Sequence, residues 1–402
     1  MLVLAHSESR DTGRRDRAPS HVGRLRRAAW AFTTRRVRAG TCRVVLDATA
    51  PKPGDLVLAR VTAVGYHSGL QLPEGRRRHL FVGDEIVVAY GNRYAPNQFE
   101  AVVPRTLGPC QLVAAGGVAG KVLSWHASVS KAATQLTPIG LLTDALGRTV
   151  NLRDHALAPV DVLPAACPPV IAVVGTSMDA GKTQTAAYLV RGLTQAGMRV
   201  GFAKVTGTGS GGDTWLLKDA SAHPVLDFTD AGHASTYLVP PEEVERVFVT
   251  LIANLVRARV GAIVLEIADG VLQGETAALL ESAAFREAVS GIVFASGDAM
   301  GAIAGAEWLQ KRELPLIALG GVLTSSPLQR RESMQVTGLP VYARQDLAQP
   351  RTAAKVLDLA TRPRPGLTRV DSPAEPPIEI PVNVAATLAN DEGTATPIEA
   401  VT

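Results

Sequence analysis

One run constrains this chain more than any other: Val-Ile-Ala-Val-Val-Gly-Thr-Ser-Met-Asp-Ala-Gly-Lys-Thr, residues 170–183. Val170 to Val174 are apolar and mostly β-branched, which predicts a buried strand. A loop of mostly small residues follows: Gly175, Thr176, Ser177, Met178, Asp179, Ala180 and Gly181. Lys182 and Thr183 then open a helical pattern, with Ala186, Ala187, Leu189, Val190 and Leu193 on one face and Gly197 where a helix-ending glycine belongs. Strand, glycine loop, Gly-Lys-Thr and helix together make a phosphate-binding P-loop. Small residues let backbone N–H groups close around phosphate oxygens, and the helix N-terminus adds partial positive charge. Lys182 is placed to reach the β- and γ-phosphates, and the Thr183 hydroxyl to ligate Mg²⁺. The glycine at 175 stands one residue ahead of the usual spacing, which has it at 176. The run predicts that residues 175–183 bind a nucleotide.

The chain has 402 residues, enough for two or three domains, and 46% of them are apolar, as in globular proteins. No apolar run approaches the length of about 18 residues that suggests a membrane span. A net charge of +4 is small for this length and does not by itself call for nucleic acid. Cys42, Cys110 and Cys167 lie far apart, without paired metal spacing, which suggests the reducing cytoplasm.

Composition divides the chain further. Residues 1–40 carry arginines at 10, 14, 15, 17, 24, 26, 27, 35, 36 and 38 with little apolar periodicity, which reads as a disordered extension. Residues 41–158 hold short alternating runs, among them Leu56–Val64, Glu85–Tyr90 and Phe99–Val103, and predict a small β-barrel or sandwich. Gly54 to Val61 is similar to the opening of many small OB-like barrels. With Arg76, Arg77, Arg78 and His79 nearby, that leaves an oligonucleotide reading open, but the stacking aromatics it needs are few and it is not favoured. Residues 159–169 are proline-rich and read as a linker. From 170 to 362 strands alternate with helices, which implies an α/β domain: a mostly parallel sheet with helices on both faces. Such sheets bind ligands at the carboxyl ends of their strands, a rule that gathers 175–183, Lys204, Glu266 and the segment after Ala295 on one edge. Residues 363–402 read as a disordered tail.

The loop Gly-Thr-Ser-Met-Asp-Ala-Gly-Lys-Thr resembles the phosphate loop of dethiobiotin synthetases, which have the same extra residue between the first glycine and Gly-Lys-Thr. Phe202-Ala203-Lys204 followed by a polar glycine loop, Asp213 in Gly-Gly-Asp-Thr-Trp, and Glu266 at a strand end are similar to the family's later segments. The resemblance spans about 169–345. It implies ATP as nucleotide, Mg²⁺ held by Thr183, Asp213 and Glu266, a catalytic Lys182, a Lys204 that contacts the group being phosphorylated, and a homodimer. Each residue has a plainer reading as well: Lys204 as a solvent-facing strand end, Asp213 as a helix N-cap, Glu266 as a structural carboxylate with Asp269 as a second candidate for its duty. Asp179 is open between orienting substrate and facing solvent. Asp227, Asp230 and His233 lie where the family has a substrate-facing segment. The β-domain, and Leu319 to Thr324 on the base side, depart from the family pattern.

Two functions follow. One is a Mg-ATP-dependent, ligase-type enzyme that activates a carboxylate or carbamate of a small-molecule substrate by phosphoryl transfer. The alternative is a nucleotide-switched accessory NTPase that acts on a partner protein; the 207–212 glycine loop suits either purpose.

Overall fold

Strands that are apolar on both faces build the first half of the chain. The computed structural model describes residues 21–45 and 50–362. Helix α1 (His21–Arg27), β1 (Ala29–Trp30) and β2 (Arg43–Val45) lead into β3 (Leu56–Ala63), the hairpin β4 (Gly69–Gln71) and β5 (Arg77–His79), β6 (Glu85–Tyr90), β7 (Phe99–Val102), β8 (Cys110–Ala114), β9 (Val118–Trp125) and β10 (Thr134–Thr143). β3 pairs antiparallel with β6 and β10, and β8 antiparallel with β10 and β9. A short parallel junction, Ala89↔Val118 and Tyr90↔Ala119, joins β6 to β9 and closes these strands into a barrel. Successive residues of β3 serve two cores in turn: Leu56 and Leu58 one, Val57, Ala59 and Val61 the other.

The expectation of a disordered extension over residues 1–40 fails for its second half. Leu25, Ala31 and Phe32 are buried, β1 pairs with β6, and Arg24 binds Glu85 at 2.7 Å. Arginine density misled because several of these arginines have carboxylate partners from distant parts of the chain. Residues 1–20 and the proposed tail, 363–402, lie outside the described residues.

The second half is a six-stranded parallel sheet. Its elements are β11 (Val170–Gly175), α2 (Lys182–Gln195), β12 (Val200–Lys204), α3 (Gly211–Asp219), β13 (Val225–Asp227), α4 (Pro241–Arg257), β14 (Ala262–Glu266), α5 (Gly274–Glu281), α6 (Ala283–Ala288), β15 (Gly291–Ala295), α7 (Ala299–Gln310), β16 (Leu316–Gly320), α8 (Pro327–Thr337), α9 (Arg344–Leu347) and α10 (Pro350–Thr361). The strand order is β13-β12-β14-β11-β15-β16. One core lies under α4 to α7, and the other under α2, α9 and α10, so helices cover both faces. Residues 159–169 are not a free linker. Leu157, Val160 and Leu163 pack on the α4-side core, Val160 N–H donates to Thr250 Oγ1 at 2.9 Å, and Arg246 holds Asp161 at 2.8 Å.

Candidate functional site

The carboxyl ends of the strands put the chemistry on one edge. Gly175 ends β11; a Cβ there would lie 2.6 Å from the Ala295 carbonyl and 3.0 Å from Lys182 Cγ, so the loop needs its glycine at 175. Thr176 has its own place, with its N–H donating to Ala295 O at 3.0 Å. Asp179 (φ 64°) and Gly181 (φ 94°) take left-handed backbone to turn the loop into α2. Lys182 is buried, and its Nζ donates to the loop carbonyl of Ser177 at 2.7 Å. Burial pulls this ammonium down, while Glu266 and Asp269 pull it up.

Lys204, Glu266 and Asp227 share one register row on β12, β14 and β13. Lys204 Nζ lies 2.5 Å from Asp213 Oδ2 and 3.1 Å from Glu266 Oε1, and Thr183 Oγ1 donates to the same Oε1 at 3.0 Å. Burial works against the Lys204 charge, but Asp213 and Glu266 outweigh it and hold the ammonium well above the usual lysine range. Lys204 is therefore not a solvent-facing strand end. Nor does Asp213 cap its helix: α3 begins at Gly211 after Ser210, and the carboxylate turns to Lys204. Glu266 Oε2 is buried with no partner.

Thr183 thus meets Glu266 directly, and Lys204 joins Asp213 to the same carboxylate. A hydroxyl and two carboxylates, with one buried oxygen unpartnered, suit a small hard dication. The residues fit Mg²⁺, with Lys204 supplying positive charge at the same place.

The opposite wall comes from the β-rich region; a substrate-shaping role for it is an expectation the sequence allows, but none of the residues it places here was singled out. A cleft of about 490 Å³ lies between the P-loop and His67, Arg93, Tyr94, Ala95, Gln98 and Gly116. Asn97 reaches across and donates to Asp179 Oδ2 at 2.8 Å, which gives that loop carboxylate its partner. Asp269 also lines the cleft. Burial raises its carboxyl, and the charges of Lys182, Lys204 and Arg93 pull it back.

The 207–212 loop needs its glycines where the barrel strands pack against the parallel sheet. A Cβ on Gly116 would lie 2.0 Å from the Gly209 carbonyl, and one on Gly209 would lie 2.6 Å from Thr33 Cγ2. Gly211 N–H donates to Gln71 Oε1 at 2.8 Å, and Gly209 N–H to Ala234 O at 2.9 Å. Asp227 and Asp230 do not face the cleft. They bind Arg35 Nη2 at 3.0 and 2.6 Å, in a buried lock between the N-terminal segment and the sheet. Their only advance signal was a pair of aspartates flanking Phe228-Thr229, which is common and says nothing of a distant arginine.

These features give residues 170–362 a P-loop α/β fold. No protein-family model matches the chain, and no curated protein does. Solved structures with a similar fold include the signal recognition particle receptor FtsY from Elizabethkingia anophelis, at 14% identity over 49% of this chain and 67% of that one, TM-score 0.35. The 54 kDa signal recognition particle protein of Aeropyrum pernix K1, in complex with GDP, matches at 18% over 50% of this chain and 49% of that one, TM-score 0.33. FtsY of Thermotoga maritima matches at 14% over 48% and 70%, TM-score 0.34. Likeness this distant carries no argument about activity or partner. Among the described residues no helix is long and apolar enough to cross a membrane.

Proposed function

We propose that this chain is a Mg²⁺-dependent P-loop enzyme that transfers the γ-phosphoryl group of ATP to a small-molecule acceptor, in the ligase-type manner that the resemblance to dethiobiotin synthetases implies. The observation that supports it best is the roofed cleft, in which β-domain side chains face the P-loop across about 490 Å³. That space suits a nucleotide with a small acceptor, and the pinned 207–211 loop suits a rigid catalytic wall better than a switch.

Lys182 and the α2 N-terminus hold the phosphates. Thr183, Asp213 and Glu266 would hold Mg²⁺, which when bound neutralises charge on the phosphate oxygens. An acceptor oxygen forms the new P–O bond while the bond to the β-phosphate oxygen breaks, and that electron pair leaves with the nucleoside diphosphate. Lys204 offsets the negative charge gathered on the transferring group. The Thr183–Glu266 and Lys204–Asp213 contacts keep these donors in place before the nucleotide arrives.

Thermal shift and calorimetry on the full chain test the nucleotide half, with Mg-ATP and Mg-GTP in parallel. Mg-ATP raises the Tm of the parent, and Lys182→Ala abolishes the rise. A parent that binds no nucleotide sinks the reading. Preference for GTP, with hydrolysis that responds to a protein partner and to no small molecule, replaces it with the accessory NTPase.

A further inference from the structure

The β-domain wall of the cleft carries a cation that the phosphate chemistry does not use. Arg93 is 5% exposed, yet it lines the cleft. It joins no ion pair among the described residues, whereas Lys204 has two carboxylates within 3.1 Å. Its Nη2 donates to Gln98 Oε1 at 2.6 Å, and its Nη1 lies 2.9 Å from His67 Nε2. The Nε has no partner at all. His67 Nε2 also lies 2.9 Å from the Val113 carbonyl. The ring nitrogen either accepts from Arg93 or donates to Val113, so of the five guanidinium N–H groups three lack a protein acceptor in the first case and four in the second.

The backbone places this side chain firmly. Arg93 N–H donates to Ala101 O at 2.8 Å, and Ala101 N–H returns to Arg93 O at 3.0 Å, so the residue is pinned against β7. Burial lowers the guanidinium to about 10, which leaves it charged at neutral pH. A buried, charged, poorly paired arginine in a wall that faces a reactive loop is costly unless an anion completes it. Its planar fork matches a carboxylate in two-pronged fashion.

The cations line different walls of the cleft: Lys182 and Lys204 stand on the parallel-sheet side, and Arg93 on the barrel side with Gln98 and His67. Asp269 lines the same cleft, and its charge acts on Lys182 and on Arg93. The guanidinium is a second anion site, on the wall that faces the phosphate site.

We infer that Arg93, seated on Gln98 and His67, binds a carboxylate of the acceptor, so that the acceptor is an anionic small molecule held between the β-domain wall and the P-loop. This inference rests on the phosphoryl-transfer reading above and names the acceptor's chemical class. It makes Arg93 the residue that selects the acceptor, with Asp269 lining the same cleft.

The test uses the full chain and a panel of small dicarboxylates and amino acids, each beside its amide or ester. Thermal shift is read with and without Mg²⁺ and a non-hydrolysable ATP analogue. In the parent, at least one carboxylate raises the Tm while its amide does not. In Arg93→Gln the carboxylate-minus-amide difference collapses. Arg93→Lys keeps the charge but not the fork, and its affinity for the same carboxylate falls about tenfold or more, which also covers the case of a poorly folded glutamine variant. A parent that ignores every carboxylate overturns the inference, as does an Arg93→Gln chain that discriminates as the parent does. Loss of the nucleotide-dependent shift in Arg93→Gln moves the guanidinium to the nucleotide and also overturns it. Failure of the nucleotide arm in the parent, with carboxylate discrimination intact, falls on the phosphoryl-transfer reading instead.

Discussion

Two buried charge clusters stand side by side at the carboxyl edge of the parallel sheet, built from the same parts. In each, one cation sits between two carboxylates: Lys204 with Asp213 and Glu266, and Arg35 with Asp227 and Asp230. They even share a register row, since Asp227 and Glu266 flank Lys204 on neighbouring strands. They differ in how completely the oxygens are served. Asp227 Oδ1 accepts from Arg35, from Thr229 N–H at 2.7 Å and from Thr229 Oγ1 at 2.5 Å, and its Oδ2 faces Thr214 Oγ1 at 3.4 Å. Asp230 Oδ2 accepts from Arg35 and from Asp227 N–H at 3.0 Å, while Oδ1 faces Arg36 at 3.5 Å. Arg35 also lies over the Phe32 ring, 4.2 Å from its centroid. In the Lys204 cluster both donors crowd Glu266 Oε1 and leave Oε2 with none. A saturated cluster holds a fold together; one left short is built for something still to arrive.

The largest expected effect falls on the saturated cluster. Arg35→Met strips the cation from two buried carboxylates and lowers unfolding free energy by about 3–5 kcal/mol, the cost of breaking a buried pair. Urea denaturation measures it, and calorimetry finds nucleotide affinity where it was. If stability holds and affinity drops instead, the two clusters have been assigned the wrong way round.

Lys204→Ala is the converse. Loss of a transition-state donor costs about 3 kcal/mol, so acceptor-dependent turnover falls roughly a hundredfold or more, while the nucleotide dissociation constant changes far less. Lys204→Arg restores little, because a planar guanidinium does not replace a compact ammonium between two carboxylates. Turnover equal to the parent's, measured by coupled diphosphate release, removes Lys204 from the chemistry.

A smaller shift is expected from Asp213→Asn and Glu266→Gln. Each raises the Mg²⁺ concentration for half-maximal turnover by about tenfold or more, since even outer-shell partners of a metal ligand act on that scale. Titrations that overlay the parent's show that the unpartnered oxygen awaits something other than the metal.

The smallest effect is set by pH, through His67 and His233. Burial, then the charge of Arg93, lowers His67 to about 3. Burial, then Arg153, lowers His233 to about 4. The ordinary value is about 6.5, so the unfolded chain takes up protons that the folded chain refuses, and stability is lost as pH falls below that value. Between about pH 6.5 and 5.5 each histidine contributes a loss of about 1 kcal/mol. Unfolding curves of His67→Gln and His233→Gln are correspondingly flatter with pH. A variant that keeps the parent's slope shows its histidine to be protonated in the folded chain.

The short-range parts of this molecule were legible before any coordinates. Strand, loop and helix around Lys182 follow from residues within a few positions of each other, and so does the end of α2 at Gly197, whose φ is 88°. The parallel sheet followed from alternation, and the carboxyl-end rule brought Lys204 and Glu266 to the loop because each ends its strand. The barrel was visible only in part: β3, β6 and β7 fall on apolar runs bounded by turn residues, whereas β8 and β9 are interrupted by Gln111 and by Gly120-Lys121 and were not singled out. What tertiary structure alone decided is the partnership of distant groups. Arg35 meets Asp227 from 192 positions away, and Asn97 meets Asp179 from 82. Such pairs have no spacing to read, since a side chain's partner across two domains is fixed by how the barrel docks on the sheet. The same docking turned a glycine run that looks like a mobile loop into a packed seam, and an arginine in a β-turn segment into the wall of a binding cleft. Local sequence determined where phosphate goes; close packing between two domains decided what else stands beside it, because an apolar seam must bury the whole of its surface and carries its charged residues with it.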